Sequence, residues 1–282
     1  MRFKYYITEK YKKEGRGKEI SLEEALKISP KYSDAIESGT TIARQMDSWK
    51  IQYYLIDPKT GEERVSRNTS NYYTLIMDNS SKWKKYPRRG RSLICSINTS
   101  CGINAPHRVF PENGSTIGVC PTNDLWDAFK NSFYKGMNEV NYIINILSNI
   151  GMKVKKNERT RRKGGLEKFD KDITTIKKAF KSFDKWYKNQ RYNKDILEEV
   201  VYDSTNGNDY DIRAMWIVMD KYSGDLYKMI EQKLDPNNND FRLVTTSTMN
   251  SAIGKNEVWT EGKSLMIQCG KSMDDFLNRY GR

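Results

Sequence analysis

Two strand-type stretches lie on either side of a long helical block, and the chain can pair them only by bringing its two ends together. Before the block, Thr40-Thr-Ile-Ala-Arg44, Ile51-Gln-Tyr-Tyr-Leu-Ile56, Ser92-Leu-Ile-Cys-Ser96, Arg108-Val-Phe110 and Thr116-Ile-Gly-Val-Cys120 read as strands. After it, Phe241 to Thr248 and Glu257 to Ile267 alternate with the period of two that marks a half-buried strand. Between them the period changes. Thr122 is placed to cap a helix that carries Leu125, Phe129, Phe133, Val140, Ile144 and Leu147 and stops at Gly151. A second amphipathic helix is predicted from Asp170 to Tyr187, with others over 194–202 and 208–234, before the break Asp235-Pro-Asn-Asn-Asn-Asp240. The pattern predicts an α+β chain: a β-rich body, 1–120 plus 241–282, with a helical insertion at 121–240, compact as one domain.

Local signals refine the body. Ser21-Leu-Glu-Glu24 is a capping box that opens a helix to Ile28, Pro30 ends it, and the residues that follow are expected to be extended. Asp57-Pro-Lys-Thr-Gly61 is a turn, and Tyr72 to Met77 is a short apolar helix. Pro111-Glu-Asn-Gly114 is expected to close a hairpin between its flanking strands, and Met273 to Tyr280 to form a last helix.

Charge narrows the partners. Lys and Arg total 49 against 36 Asp and Glu, a net charge of +13, which favours encounter with a polyanion and above all nucleic acid. Hydrophobic residues at 37%, with 18 Tyr, 9 Phe and 6 Trp, are enough to build a core, so a wholly disordered chain is not expected. The opening MRFKYYITEKYKKEG has no apolar h-region, and no apolar run is long enough for a membrane span, so a cytoplasmic protein without membrane attachment is expected. The four cysteines, Cys95, Cys101, Cys120 and Cys269, form no CxxC pair and are expected to be free thiols. With His107 the only histidine, no structural zinc site is expected, and His107 itself reads as structural. Neither GxGxxG nor GxxxxGK[ST] occurs, which removes the common dinucleotide and P-loop cradles.

Two segments concentrate the positive charge. In 82–91, the cations Lys82, Lys84, Lys85, Arg88, Arg89 and Arg91 interleave with Trp83 and Tyr86, a composition suited to gripping phosphates while stacking bases. The loop 153–163 holds seven basic residues and one Glu and is a second candidate phosphate contact.

Three separated features complete the reading: Arg44 on an early strand, the serine strand Ser92 to Ser96, and Asn256-Glu-Val-Trp-Thr-Glu-Gly262 opening a late strand. With the RVFPENGSTIGVCP segment after the serine strand, this order resembles the mono-ADP-ribosyltransferases of the Arg–Ser–Glu class, the toxin and phage type. The likeness covers roughly 40–120 and 241–268 and leaves the helical block outside. It implies a split β-sandwich core and NAD as substrate, with no metal. It further implies that Arg44, Ser92 and Ser96 bind NAD and that Glu257, supported by Ser96, is catalytic. Those residue types suit the chemistry: breaking the nicotinamide–ribose bond passes through an oxocarbenium-like state that a fixed carboxylate stabilises, and an arginine fork fits phosphate.

Alternatives remain within that reading. The serine register is Cys95-Ser96-Ile97 or Ser96-Ile97-Asn98, with Ser66 as a further candidate, and Glu261 shares a strand face with Glu257. Lys255 stands where many members of the family carry Glu or Gln, which suits a phosphate-bearing acceptor such as RNA or DNA rather than a protein arginine. The resemblance also implies a role in toxicity, antiphage defence or phage attack, with an inhibitory protein as a conceivable partner. Two further readings use the same residues: a single-strand nucleic-acid-binding protein with no catalysis, and a transferase with a protein acceptor.

Overall fold

A computed structural model describes residues 17–39, 41–46, 51–61, 63, 72–97, 107–125, 128–129, 173–174, 177–178, 181, 225–251 and 256–281. The chain divides into two compact units. One comprises Met1–Arg64, Lys84–Ala128 and Asp240–Arg282, and the other Val65–Trp83 and Phe129–Asn239. Residues 65–83 thus group with the inserted block, and the basic segment 82–91 is cut between Trp83 and Lys84.

The first unit is a mixed α+β structure built on one antiparallel sheet. Its described strands are β1 (Gly17–Glu19), β2 (Ile42–Arg44), β3 (Tyr53–Ile56), β4 (Leu93–Ile97), β5 (His107–Pro111), β6 (Thr116–Val119), β7 (Arg242–Thr245), β8 (Glu257–Thr260) and β9 (Ser264–Gln268). Their order is β1-β3-β9-β5-β2-β4-β8-β6-β7. Helices α1 (Leu22–Ile28), α2 (Ser33–Glu37) and α5 (Lys271–Arg279) belong to this unit, and α3 (Tyr72–Asn79) and α4 (Leu226–Lys233) to the other. Ser21 caps α1 as expected, its hydroxyl accepting from the Glu24 backbone N–H at 3.1 Å, while the Glu24 carboxylate takes Lys18 at 2.6 Å. The residues after Pro30 are not extended. They form a 3-10 turn over Ser29–Tyr32 and then α2, held by Asn113, which donates to Pro30 and Ser33 and accepts from the Asp34 N–H.

The predicted hairpin is not one. A tight turn does form at Glu112–Ser115, but β5 pairs with β9 and β2 whereas β6 pairs with β7 and β8. The late alternating run likewise splits at Glu261-Gly-Lys263 into β8 and β9, which do not pair with each other. The two breaks lie side by side. Pro111 stands opposite Ser264 on one side of the corner and Ile117 opposite Thr260 on the other, and the Glu112 N–H donates to the Lys263 carbonyl at 2.8 Å between them. A Cβ on Gly262 would collide with the Ser115 side chain, so this crossing requires glycine. One two-stranded ribbon, β5–β6 against β8–β9, therefore turns a corner, and β2 and β4 bridge its ends.

The corner folds the sheet over a shared core. Tyr54, Ile56, Val109 and Met266 from the β3-β9-β5 half join Ile42, Leu93, Cys95, Ile117, Val119, Val244 and Val258 from the other half in one buried cluster. The outer face of the β3-β9-β5 half is covered by helices. There Tyr53, Phe110, Leu265 and Ile267 pack with Ala25 of α1, Ala35 of α2, and Met273 and Phe276 of α5.

The second unit is described in part. Asp225 caps α4 by accepting from the Lys228 N–H at 2.9 Å, and the Asn239 amide donates to the carbonyls of Lys233 and Asp235 just after the helix. Residues 173, 174, 177, 178 and 181 are helical, within the helix expected over 170–187. The expected helix start at Thr122 is absent: the Thr122 carbonyl accepts from the Glu257 N–H at 2.9 Å, which ties this segment to β8. The remaining residues of the helices expected at 122–151, 194–202 and 208–234 lie outside the described residues, as do Ser66, Lys255 and the loop 153–163.

Candidate functional site

Arg44, Ser96 and Glu257 lie on three adjacent strands. In register, Ala43 of β2 faces Ser96 of β4, and Ser96 faces Glu257 of β8. Directly opposed residues in antiparallel strands share a face, so Ser96 and Glu257 stand side by side on the surface opposite the shared core. Ser96 is exposed and Glu257 is 8% exposed. Arg44 is one residue further along β2, and alternation turns it to the opposite face. It is buried at 5% exposure and donates from Nη1 to the Ile94 carbonyl. The structure thus brings Ser96 and Glu257 together and gives Arg44 the neighbouring strand but not the same face. Ser92 is buried at the foot of β4, with its hydroxyl donating to the Arg88 carbonyl at 2.7 Å.

The Glu257 backbone is fixed from the other side. The Cys120 N–H donates to its carbonyl at 2.9 Å, and the Asn256 amide donates to the Cys120 carbonyl. Burial pushes the Cys120 thiol up to about 11 and the Glu257 charge adds to the effect, so Cys120 is a neutral neighbour and not a nucleophile.

The Glu257 carboxylate already has a partner. Arg89 donates from Nη1 to Oε1 at 2.6 Å, and the two side chains are 6% and 10% exposed. The same guanidinium lies over the Trp259 ring, 5.2 Å from its centroid. Residues 257, 259 and 261 alternate onto one face of β8, and each grips the segment before β4. Trp259 Nε1 donates to the Pro87 carbonyl at 2.8 Å, and the Glu261 carboxylate accepts from the Arg88 N–H at 2.8 Å. Tyr86 stacks on Trp259 with centroids 6.2 Å apart, and Phe241 meets it edge-on. Removing one partner of such a buried ion pair costs about 3–5 kcal/mol, because the other charge is left without compensation.

The basic segment 82–91 is therefore largely turned to internal use. Trp83 is buried and donates to the Leu234 carbonyl at 2.7 Å, and Lys82 pairs with Asp235 at 3.0 Å. Arg88 and Arg91 share Glu63 at 3.2 and 3.0 Å, and Arg89 is committed to Glu257. Lys84 and Lys85 are exposed, and Tyr86 is half-buried.

An open, polar cleft of about 480 Å³ lies at the other end of β8, lined among others by Asp57, Lys59, Lys85, Tyr86, Glu261 and Lys263. Glu261 is four residue steps along the chain from Glu257, roughly 13 Å, and Glu257, Ser96 and Arg44 do not line this cleft. Glu261 is the more open carboxylate, at 24% side-chain exposure, with Lys59 4.0 Å away.

The sequence reading missed the union of its two main motifs, the basic segment and the late strand, into one interlocked unit. The signal was present as alternation: Glu257, Trp259 and Glu261 at i, i+2 and i+4 offer acceptor, donor and acceptor along one face. Among the described residues no cluster of His, Cys, Asp or Glu is able to hold a metal ion, and no helix is long and apolar enough to cross a membrane. Cys269 is disulfide-bonded, against the expectation of free thiols, while Cys95 and Cys120 are free and buried. Comparison with protein-family models, curated proteins and solved structures gives no match to this chain.

Proposed function

We propose that the chain is an NAD-dependent mono-ADP-ribosyltransferase with a macromolecular acceptor, nucleic acid being favoured. The observation that carries this reading is the register that sets Ser96 directly opposite Glu257, with the Arg44 strand next in order. A split β-sandwich is supported by the ribbon corner and by the core shared between the two halves of the sheet. In the proposed step the C–N bond between ribose and nicotinamide breaks with its electron pair leaving on nicotinamide. The acceptor's lone pair then forms the new bond to the ribose carbon, and the acceptor's proton passes to solvent. Glu257 stabilises the positive charge that develops on the sugar, and the exposed Ser96 hydroxyl lies beside it. The preference for RNA or DNA rests on the net charge of +13 and on the exposed Lys84 and Lys85.

Incubation of the protein with labelled NAD and separate RNA, DNA and protein fractions tests the proposal. Glu257→Gln is expected to reduce transfer by about a hundredfold or more, and Glu261→Gln to retain most of it. Loss with Glu261→Gln alone would move the catalyst to the cleft. No label in any fraction, with salt-dependent binding to single strands intact, would instead support a binding protein without catalysis.

A further inference from the structure

The group that touches Glu257 is an arginine from outside the Arg–Ser–Glu triple. We infer that Arg89 is the positioning residue for Glu257: it holds the carboxylate in place along the Ser96 face of the sheet. The inference rests on the proposed site at Ser96 and Glu257.

Three observations carry it. First, Arg89 Nη1 meets Glu257 Oε1 at 2.6 Å where both side chains are nearly buried. A carboxylate taken out of water tends to bind a proton, and an adjacent guanidinium opposes this. Second, Arg89 is itself fixed. Its guanidinium rests on Trp259, and the residues before it are anchored to the same strand through Trp259 Nε1 to Pro87 and Glu261 to the Arg88 N–H. An arginine held at several points keeps its plane, which defines the direction of the carboxylate it binds. Third, Arg44 donates to the Ile94 carbonyl, and its register places it on the opposite face of the sheet. Of the titratable and charged groups described around Glu257, Arg89 comes from the segment before β4 and Cys120 from the end of β6. The β4 residue opposite Glu257 is Ser96, which does not titrate. Cys120 stays neutral through the acid range, which leaves Arg89 as the charged group in contact with the carboxylate.

The test compares wild type, Arg89→Gln, Arg89→Lys and Glu257→Gln by two readouts. Carbon-detected NMR titration of glutamate-labelled protein follows the carboxyl directly, with Glu257→Gln identifying its signal. In Arg89→Gln the Glu257 titration is expected to move up by about one pH unit or more, and in Arg89→Lys by an intermediate amount. Transfer from NAD should fall by about tenfold or more in Arg89→Gln, with the acid limb of its pH profile displaced in parallel and KM for NAD little changed. A purely structural arginine would lower the folded fraction and leave both the titration and the limb in place, which overturns the inference. Should Arg89→Gln fail to fold, Arg89→Lys decides: a Glu257 titration identical to wild type overturns the inference, and an upward shift supports it. Because the NMR arm needs no turnover, a protein that does not use NAD but whose Glu257 titration follows Arg89 would sink the transferase reading and leave the ion-pair role standing.

Discussion

The two halves of the folded sheet face the same core and differ on their outer surfaces. Outside β3, β9 and β5 the strands present Tyr53, Phe110, Leu265 and Ile267 to three helices, and the contact is mainly apolar, with one hydrogen bond from the Tyr53 hydroxyl to the Ser272 carbonyl at 2.9 Å. Outside β4 and β8 the strands present Ser96, Glu257 and Trp259, and what covers the latter two is the arginine-rich segment 87–89, held by an ion pair, hydrogen bonds and a ring contact. Apolar burial is non-directional and tolerates small shifts of its partners. A hydrogen-bonded cover fixes individual atoms, and an error in it leaves polar groups unsatisfied. The first half of the sheet therefore reads as the source of stability, and the second as the place where geometry is specified.

Phe276→Ala is the strongest way to separate the two roles. Phe276 is fully buried in the helical cover, and its truncation is expected to cost about 3–5 kcal/mol. Chemical denaturation would show this as a lower midpoint, while the Glu257 titration of the folded fraction should be unchanged. A shift of that titration would show that the two faces are not independent. Gly118→Ala works on the other face. Gly118 lies opposite Trp259, and a Cβ there would run into the indole. Displacement of the ring is expected to cost about 1–3 kcal/mol, and to disturb Arg89 as well, because the guanidinium rests on that ring. The sharper comparison is in the ratio: Gly118→Ala should lose more transfer per kcal/mol of stability than Phe276→Ala.

Much of this division was legible in the sequence, and the failures have a common cause. The strands and the α1 cap follow from local periodicity and cap chemistry, whereas the choice of Ser96 and Glu257 comes from the family resemblance. What local pattern does not encode is which strand pairs with which. Pro111-Glu-Asn-Gly114 has the residues of a hairpin turn, and the turn forms, but partners further along the chain take both of its flanking strands. The run from Glu257 to Ile267 reads as one strand only if the polar stretch Thr260-Glu-Gly-Lys-Ser264 is passed over; that stretch marks the corner, with Gly262 needed where Ser115 approaches. The charge of 82–91 is equally plain in sequence, but whether an arginine meets phosphate or a buried carboxylate depends on tertiary contacts. Thr122 has the chemistry of a helix cap and is instead drawn to the backbone of Glu257.

The junction between the halves supplies the smallest effect and a test of its own. His107 opens β5 opposite Arg44 of β2, where one half of the sheet passes to the other. It is 1% exposed, its Nε2 lies 2.7 Å from the Ile51 carbonyl, and its Nδ1 is buried with no hydrogen-bond partner among the described residues. The neutral ring fits this site, with Nε2–H donating and Nδ1 unprotonated. Protonation would place a second N–H where nothing accepts it, and burial accordingly pulls the His107 pKa below its ordinary value of 6.5. The unfolded chain therefore binds the proton more readily than the folded one. The associated stability is complete above about pH 6.5 and declines as pH falls below it. Denaturation curves at pH 7.5 and pH 5 should show this loss in wild type, and His107→Gln should show a smaller one even if it is less stable at both. An equal loss in the variant would show that the acid sensitivity does not come from His107 and would remove the junction as its source.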